Sequence, residues 1–115
     1  LPQAKMYSQC AGLGPVLALA WEVENPRALP IKQVIRRNGA EHFVGETSTD
    51  QIHRTFEDLA RFLWRHNEFP NGVFLMTGTG IIPPSEFTLE DGDEVDISIE
   101  GIGTLTNPVV RLGGA

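Results

Sequence analysis

The sequence predicts an α+β fold that is mostly β and contains one long amphipathic helix. Val95, Ile97 and Ile99 are separated by polar residues, as in a strand with one buried face. Apolar residues spaced three and four apart between Ile52 and Trp64 indicate the helix. The 115 residues, 41% hydrophobic and 21% charged, have the composition of a single globular domain.

The first part of the chain is predicted to contain a strand and a hairpin. The apolar run at residues 13–21 is predicted to be a strand that follows a loop, and Asn25-Pro26 ends it in a turn. Residues 31–37 are also strand-like. Asn38-Gly39 is a strong signal for a two-residue hairpin turn, so residues 41–45 are expected to return antiparallel.

The helix is predicted to begin after Ser48. Ser48 and Gln51 have the spacing of a capping box, in which two side chains bind the free N–H groups of a helix start. The apolar side chains that follow fall on one side of the helix and should pack on the sheet. They are Ile52, Phe56, Leu59, Ala60, Leu63 and Trp64.

The last part of the chain is predicted to hold two strands preceded by turns. Residues 73–76 have the apolar content of a strand buried on both faces, and we expect the fold to be organised around it. Residues 95–100 predict a half-buried strand. Turns are predicted at Pro70-Asn71-Gly72 and Asp91-Gly92-Asp93, and Gly101-Ile102-Gly103 is expected to reverse or bulge the chain into residues 104–110.

Charge and composition narrow the classes of partner. A formal net charge of −6, with nine scattered basic residues, argues against a nucleic-acid-binding surface. No apolar run has the length of a membrane span, and the single cysteine, Cys10, excludes an internal disulfide. We therefore expect a cytoplasmic protein that binds neither nucleic acid nor a membrane. Because the chain begins Leu1-Pro2 without a leader, we expect its start to be a cut.

A glycine-rich segment follows the predicted strand at residues 73–76. Thr77-Gly78-Thr79-Gly80 offers hydroxyl and N–H groups to an anion, and its glycines allow close approach to a ligand. A nucleotide-binding loop would have to open a helix, which Ile81-Ile82-Pro83-Pro84 cannot do. The residues alone leave two interpretations, a ligand-binding loop and a surface turn.

Metal ligands are not apparent in this chain. Glu22 and Glu24 lie two residues apart, but we interpret them as solvated turn charges. His42, His53 and His66 do not share the spacing of a zinc site. No residue is assigned to a metal.

Several segments together resemble the C-terminal half of the fumarylacetoacetate hydrolase family. They occur in the family's order and spacing, and one at the start of the chain places Lys5 on the position of the family's active-site lysine. The matching segments are Lys5-x-Tyr7, Leu13-Gly14-Pro15, Thr77-Gly78-Thr79-Gly80, Pro83-Pro84, Leu89-Glu90-Asp91-Gly92-Asp93, and the run at residues 99–109.

The resemblance implies an enzyme that acts on 2-oxo acids. It assigns Lys5 to catalysis, where an ammonium group can stabilise or protonate an enolate, and it assigns Thr79 and Gly78 to binding the substrate carboxylate. Members of the family hold the substrate with a divalent cation, usually Mg²⁺, which polarises the keto group. Its ligands precede the matched lysine in the family and have no counterpart here, so we expect them outside this chain.

The resemblance also implies the architecture and the assembly. Residues 1–115 would form the C-terminal portion of a catalytic domain, without its upstream metal-binding part. This portion would belong to a mixed β-sandwich roll, and the protein would be a homodimer.

Within the family, residues 1–5 and 45–49 are most similar to the branch that dehydrates 2-keto-3-deoxy sugar acids of the arabinonate or xylonate type. Two alternatives stay open. One is a C–C bond hydrolase, decarboxylase or isomerase of acylpyruvate-like or aromatic-degradation intermediates. The other is a catalytically incompetent fragment that only folds or dimerises.

Overall fold

The computed structural model describes residues 6–113, which contain one antiparallel sheet and one α-helix. The strand order across the sheet is β2-β1-β3-β4. The prediction of a mostly β chain with one helix is therefore confirmed at this level. No helix within residues 6–113 combines the length and apolar character needed to cross a bilayer. The elements are β1 (Pro30–Arg37), β2 (Ala40–Ser48), α1 (Phe56–Trp64), β3 (Glu94–Ile99) and β4 (Gly103–Pro108).

The predicted hairpin at Asn38-Gly39 is present, and at residues 101–103 the chain reverses into a second hairpin rather than bulging. Between β1 and β2, Asn38 and Gly39 have φ angles of 52° and 79°, and positive φ at both positions is what a two-residue turn of type I′ requires. Between β3 and β4, Gly101 has a φ of 79°, and Ile102 N–H donates to the carbonyl of Ile99 at 3.0 Å. These turns set the register of the two outer strand pairs.

The two faces of the sheet differ because successive residues of a strand point to opposite sides. On one side, which we call the polar face, charged and hydroxyl groups bond across the strands. Arg36 contacts Asp96 and donates to Glu94 at 3.1 Å, and Thr106 donates to Asp96 at 2.6 Å. The polar face also holds Lys32, Glu46, Ser98 and Thr104.

The opposite side, which we call the apolar face, carries most of the aliphatic side chains of the sheet. Its best buried residue is Ile35, which is 1% exposed. Phe43 extends this face toward Phe87, with 6.0 Å between the ring centroids. The other side chains on the apolar face include Ile31, Gln33, Thr47, Val95, Ile97, Ile99, Leu105 and Asn107.

A buried ion pair closes the end of the sheet where β1 ends and β3 begins. Arg37 donates through Nε and Nη2 to the two carboxylate oxygens of Asp93, each at 2.8 Å, and Asp93 is 1% exposed. The hydrogen bonds from Arg37, and then the one from Glu90 N–H, lower the pKa of Asp93 to about 2. This end of the sheet therefore depends on an ionised carboxylate.

The helix is shorter than predicted and begins at a different cap. The Ser48 hydroxyl caps only a 3-10 turn at Thr49–Gln51, where it accepts from Asp50 N–H at 3.3 Å. The cap of α1 is Thr55, whose hydroxyl accepts from Asp58 N–H at 3.1 Å. The prediction of one long helix starting at Ser48 was wrong.

The guanidinium group of Arg27 explains why the helix starts late. It donates to the carbonyl of Ile52 at 2.8 Å and to the carbonyl of Arg54 at 3.1 Å, and it lies 5.3 Å from the centroid of the Phe56 ring. Carbonyls at these positions would otherwise accept bonds within a helix. The segment between the 3-10 turn and α1 is thus bound from outside the helix.

Two apolar runs that were predicted to be strands are not strands. Residues 73–76, expected at the centre of the fold, pair with no strand among residues 6–113, and Phe74 and Met76 are 68% and 65% exposed. Residues 13–21 are also irregular apart from a 3-10 turn at Ala20–Glu22, and Trp21 is 81% exposed. Apolar content alone does not make a strand, since its backbone groups need a neighbouring edge.

Candidate active site

A cleft of about 560 Å³ lies over the apolar face of the sheet. Its floor is formed by the sheet residues Ile31, Gln33, Thr47, Ile97 and Ile99. One wall is the segment at residues 77–81, which we call the site loop. The other wall is formed by residues between Ser48 and Arg54, where β2 ends and α1 has not yet begun.

The site loop lies directly on β2 because glycines stand at both points of contact. A Cβ atom on Gly80 would lie 2.8 Å from Oγ1 of Thr47, and a Cβ atom on Gly45 would lie 2.4 Å from Cγ2 of Ile81. Gly78 has a φ of 104°, a conformation that side chains disfavour. The interpretation of this segment as a mere surface turn is therefore incomplete, because the loop forms a wall of the cleft.

Hydrogen bonding within the site loop leaves backbone donors available. The Thr79 hydroxyl accepts from Ile81 N–H and donates to the Ile81 carbonyl, each at 3.1 Å, so it folds the loop back on itself. The N–H groups of Gly78, Thr79 and Gly80 have no acceptor among residues 6–113. Neighbouring N–H groups without acceptors are the groups with which loops bind carboxylates and other anions.

The second wall adds cationic and polar side chains. His53 and Arg54 line the cleft, and neither side chain has a hydrogen-bond or ion-pair partner among residues 6–113. Arg27 holds the backbone beside them in place through the carbonyls of Ile52 and Arg54. This arrangement places a histidine and an arginine at the same cleft as the site loop, and the arginine suits an anionic ligand.

The structure brings together some of the predicted site residues. Thr79 and Gly78, predicted to bind a carboxylate, both line the cleft. Lys5, predicted to be catalytic, lies outside the described residues, so its approach to Thr79 stays a prediction. Glu22 is a solvated turn charge as interpreted, since it is exposed and accepts from Leu19 N–H at 2.8 Å.

Most residues of the second wall were not predicted from the sequence to belong to a site. Arg27 was not singled out, and Arg54 was placed within a helix. One signal could have located the wall: Thr55 stands three residues before Asp58, which is the spacing of a helix N-cap. Starting the helix there would have left His53 available to the cleft.

The described residues do not form a magnesium centre of their own. Within residues 6–113 there is no cluster of three or more His, Cys, Asp or Glu side chains that could hold a metal ion. Asp93 and Asp96, the best buried carboxylates described above, are bound by Arg37 and Arg36. Oxygen ligands for a hard cation are therefore not assembled in this part of the chain.

Comparison with known proteins identifies relatives along almost the whole chain. The family model described as fumarylacetoacetate (FAA) hydrolase C-terminal matches residues 1–110. The "Probable 2-keto-3-deoxyxylonate dehydratase" of Haloferax volcanii is 40% identical over 112 residues, which are 97% of this chain and 39% of that protein. The 2-dehydro-3-deoxy-D-arabinonate dehydratase of Saccharolobus solfataricus is 41% identical over 111 residues, which are 96% of this chain and 37% of that protein.

A solved structure matches equally well. It is a 2-keto-3-deoxy-D-arabinonate dehydratase complexed with magnesium and 2,5-dioxopentanoate, and it superposes with a TM-score of 0.93 at 41% identity. The match covers 96% of this chain and 39% of that one. The chain thus spans about two fifths of the length of the relatives it matches.

Proposed function

Because this chain belongs to the fumarylacetoacetate hydrolase family, we propose that the complete protein dehydrates a 2-keto-3-deoxy sugar acid of the arabinonate or xylonate type. The observation that carries the proposal is the close match to a dehydratase solved with 2,5-dioxopentanoate. The cleft supports it independently, since it is lined both by a loop whose N–H groups have no acceptor among residues 6–113 and by Arg54.

The proposed reaction balances as the loss of one water. A five-carbon 2-keto-3-deoxy sugar acid loses a proton from C3 and its hydroxyl from C4. A proton then moves from C5 to C3, and the enol left between C4 and C5 tautomerises to an aldehyde. The product of these steps is 2,5-dioxopentanoate, and the intermediate after the first proton loss is an enolate that needs stabilisation.

The site loop is proposed to bind the carboxylate of the substrate. Thr79 would do so through its N–H group and through its hydroxyl, whose proton would have to turn from the Ile81 carbonyl to the carboxylate. Gly78 would do so through its N–H group and the close approach that a missing side chain permits. Lys5 is proposed to be the catalytic residue that stabilises or protonates the enolate, as the family resemblance implies. These residues have different tasks, so their substitutions should affect KM and kcat differently.

We propose Mg²⁺ as the cofactor of the complete protein, with its ligands outside this chain. The magnesium in the matched dehydratase supports this choice. Calorimetric titration of the 115-residue chain with MgCl₂ should give no tight binding. Tight binding by this chain alone would contradict the assignment of the ligands to other residues.

The proposal extends to the architecture and the cellular context. Residues 1–115 would form the C-terminal portion of a catalytic domain built as a mixed β-sandwich roll. The complete protein would be a cytoplasmic homodimer that acts on a small molecule and binds neither nucleic acid nor a membrane. The description of the matching family model as C-terminal supports the first of these points.

The activity is tested by incubating the complete protein with Mg²⁺ and 2-keto-3-deoxy-arabinonate or 2-keto-3-deoxy-xylonate. We expect 2,5-dioxopentanoate to accumulate, detected by NMR. Lys5→Met should lower kcat by roughly 100-fold or more, the usual contribution of a positioned acid or base. Thr79→Val should act mainly on KM, raising it about tenfold for a lost hydrogen bond to a charged group.

The alternatives predict other outcomes in the same assay. Turnover of acylpyruvates without dehydration of sugar acids would replace the proposal by the C–C bond hydrolase, decarboxylase or isomerase interpretation. Turnover of neither substrate class by the correctly folded complete protein would favour a catalytically incompetent protein.

A further inference from the structure

Two polar side chains stand on the apolar face of the sheet, inside the cleft. Gln33 lies on β1 between Ile31 and Ile35, and Thr47 lies on β2 opposite Ile31. Both residues are half-buried and line the cleft. Within residues 6–113, neither the Gln33 amide nor the Thr47 hydroxyl has a hydrogen-bond partner.

The neighbours of Gln33 in the sheet cannot supply that partner. Its cross-strand neighbours on this face are Gly45 on β2, which has no side chain, and Ile97 on β3, which is apolar. On the polar face, by contrast, Asp96 is bound by Thr106 and Arg36. A half-buried amide without a partner costs free energy, so a group that pairs with it on binding gains affinity.

The two side chains are close to the proposed carboxylate site. Oγ1 of Thr47 lies 2.8 Å from the position of a Cβ atom on Gly80, so Thr47 is directly beneath the site loop. Gln33 is the diagonal cross-strand neighbour of Thr47, and such side chains lie roughly 7–8 Å apart. The floor of the cleft therefore presents a hydroxyl and an amide group beside the site loop.

We propose that Gln33 and Thr47 bind the hydroxyl groups of the substrate tail and make the enzyme prefer hydroxylated over unsubstituted 2-oxo acids. This inference rests on the proposed function, because it takes the carboxylate to be held by the site loop. An amide and a hydroxyl can each donate to and accept from a sugar hydroxyl. An unsubstituted alkyl tail would leave both groups unpaired in the cleft, which is how a polar site rejects an analogue that lacks a hydroxyl.

The test compares two ligands that differ by one hydroxyl and cannot lose water from C4. They are 5-hydroxy-2-oxopentanoate and 2-oxopentanoate, titrated by calorimetry into the complete protein with Mg²⁺. We expect the wild type to bind the hydroxylated acid about tenfold more tightly, as one additional hydrogen bond predicts. Gln33→Leu should abolish this preference by weakening the hydroxylated ligand, and should lower kcat/KM for the sugar acid roughly 10-fold to 100-fold.

Two further variants keep the test decisive. Lys32→Met is the matched control, since it makes a similar polar-to-apolar change at the next position of β1 on the opposite face, and it should keep the preference. Gln33→Met, which is unbranched like glutamine, replaces Gln33→Leu if circular dichroism shows that the leucine variant does not fold. Equal affinity of the wild type for both acids, or binding of neither, overturns the inference.

The outcome separates this inference from the proposed function. If the wild type dehydrates the sugar acid and Gln33→Leu keeps both its activity and its ligand preference, the assignment of a hydroxyl-binding subsite to Gln33 is wrong and the proposed function stands. If the wild type produces no 2,5-dioxopentanoate but Gln33→Leu loses a preference that the wild type has, the function is wrong and the hydroxyl-binding subsite stands.

Discussion

The polar and apolar faces of the same four strands use their polar side chains in different ways. On the polar face, Arg36, Asp96 and Thr106 bind each other across three strands. On the apolar face, Gln33 and Thr47 have no partner among residues 6–113 and line a cleft. Because the first group is satisfied within residues 6–113 and the second is not, we expect the polar face to determine stability and the apolar face to determine ligand binding.

The two ion pairs of the polar face differ in burial and in the support that their carboxylates receive. The Thr106 hydroxyl, followed by the Arg36 guanidinium, lowers the pKa of Asp96, whose side chain is only 15% exposed. The more exposed pair of Lys32 and Glu46, 3.9 Å apart on the same face, has no such support. Exposed ion pairs of this kind contribute about 0–1 kcal/mol to stability. We therefore expect the pair of Arg36 and Asp96 to stabilise the protein more than the pair of Lys32 and Glu46.

The largest expected effect comes from Gly80→Ala on the cleft side. The added Cβ atom would meet the Thr47 hydroxyl at 2.8 Å, and since threonine is stiff at χ1, the site loop must move. We expect kcat/KM to fall about 100-fold, because small displacements of positioning groups are costly for catalysis. The melting temperature should stay close to that of the wild type, measured by circular dichroism.

Gly113→Ala is the matched control for that change. A Cβ atom on Gly113 has nothing within 4 Å, so both activity and stability should be unchanged. Wild-type activity in Gly80→Ala would contradict the role of the loop contact. A large loss of stability in Gly80→Ala would contradict the expectation that the apolar face determines ligand binding and the polar face determines stability.

The next effect is expected from Arg36→Met on the polar face. It removes the cation that binds Asp96 and Glu94 and leaves a half-buried carboxylate poorly paired. We expect the melting temperature to fall by roughly 5–10 °C while kcat and KM stay near wild type. Lys32→Met, which removes only the exposed pair with Glu46, should change the melting temperature by far less. An equal loss in both variants would show that burial of Asp96 is unimportant.

The smallest expected effect concerns acid stability. The folded pKa of Asp93 is about 2, below its ordinary value of 3.8, so its contribution to stability is present above about pH 4 and is lost as pH falls toward 2. Melting temperatures measured from pH 5 to pH 2 should decrease across this window. In Asp93→Asn the decrease should be shallower, although the starting stability is lower. An unchanged slope would mean that other carboxylates control acid unfolding.

Much of the sheet could be predicted from local patterns. Asn38-Gly39 specified the first hairpin because few residue pairs accept positive φ at both positions. The alternation at Val95, Ile97 and Ile99 specified β3, and Gly101 specified the turn after it. The glycine-rich segment with Thr79 was predicted to be a ligand-binding loop only through its resemblance to a family, since its residues alone were also compatible with a surface turn.

The errors arose where a distant residue decided the local structure. The pattern between Ile52 and Trp64 fitted a helix, but Arg27 binds the carbonyls that such a helix would have used. Residues 73–76 had the content of a buried strand, but no neighbouring edge is available to them within residues 6–113. In both cases the local preference was real and a contact outside the segment, or its absence, overrode it.

The sequence by itself determined the hairpins, the turns and the family, because these depend on backbone preferences of single residues and on short motifs with fixed spacing. Only the tertiary structure decided that Gln33, Thr47 and Thr79 share one cleft. Their proximity depends on the register between β1 and β2 and on the contact of Gly80 with β2. Both contacts join different segments of the chain, and the contact of Gly80 with Thr47 joins residues more than thirty positions apart, so no periodicity within a segment encodes them.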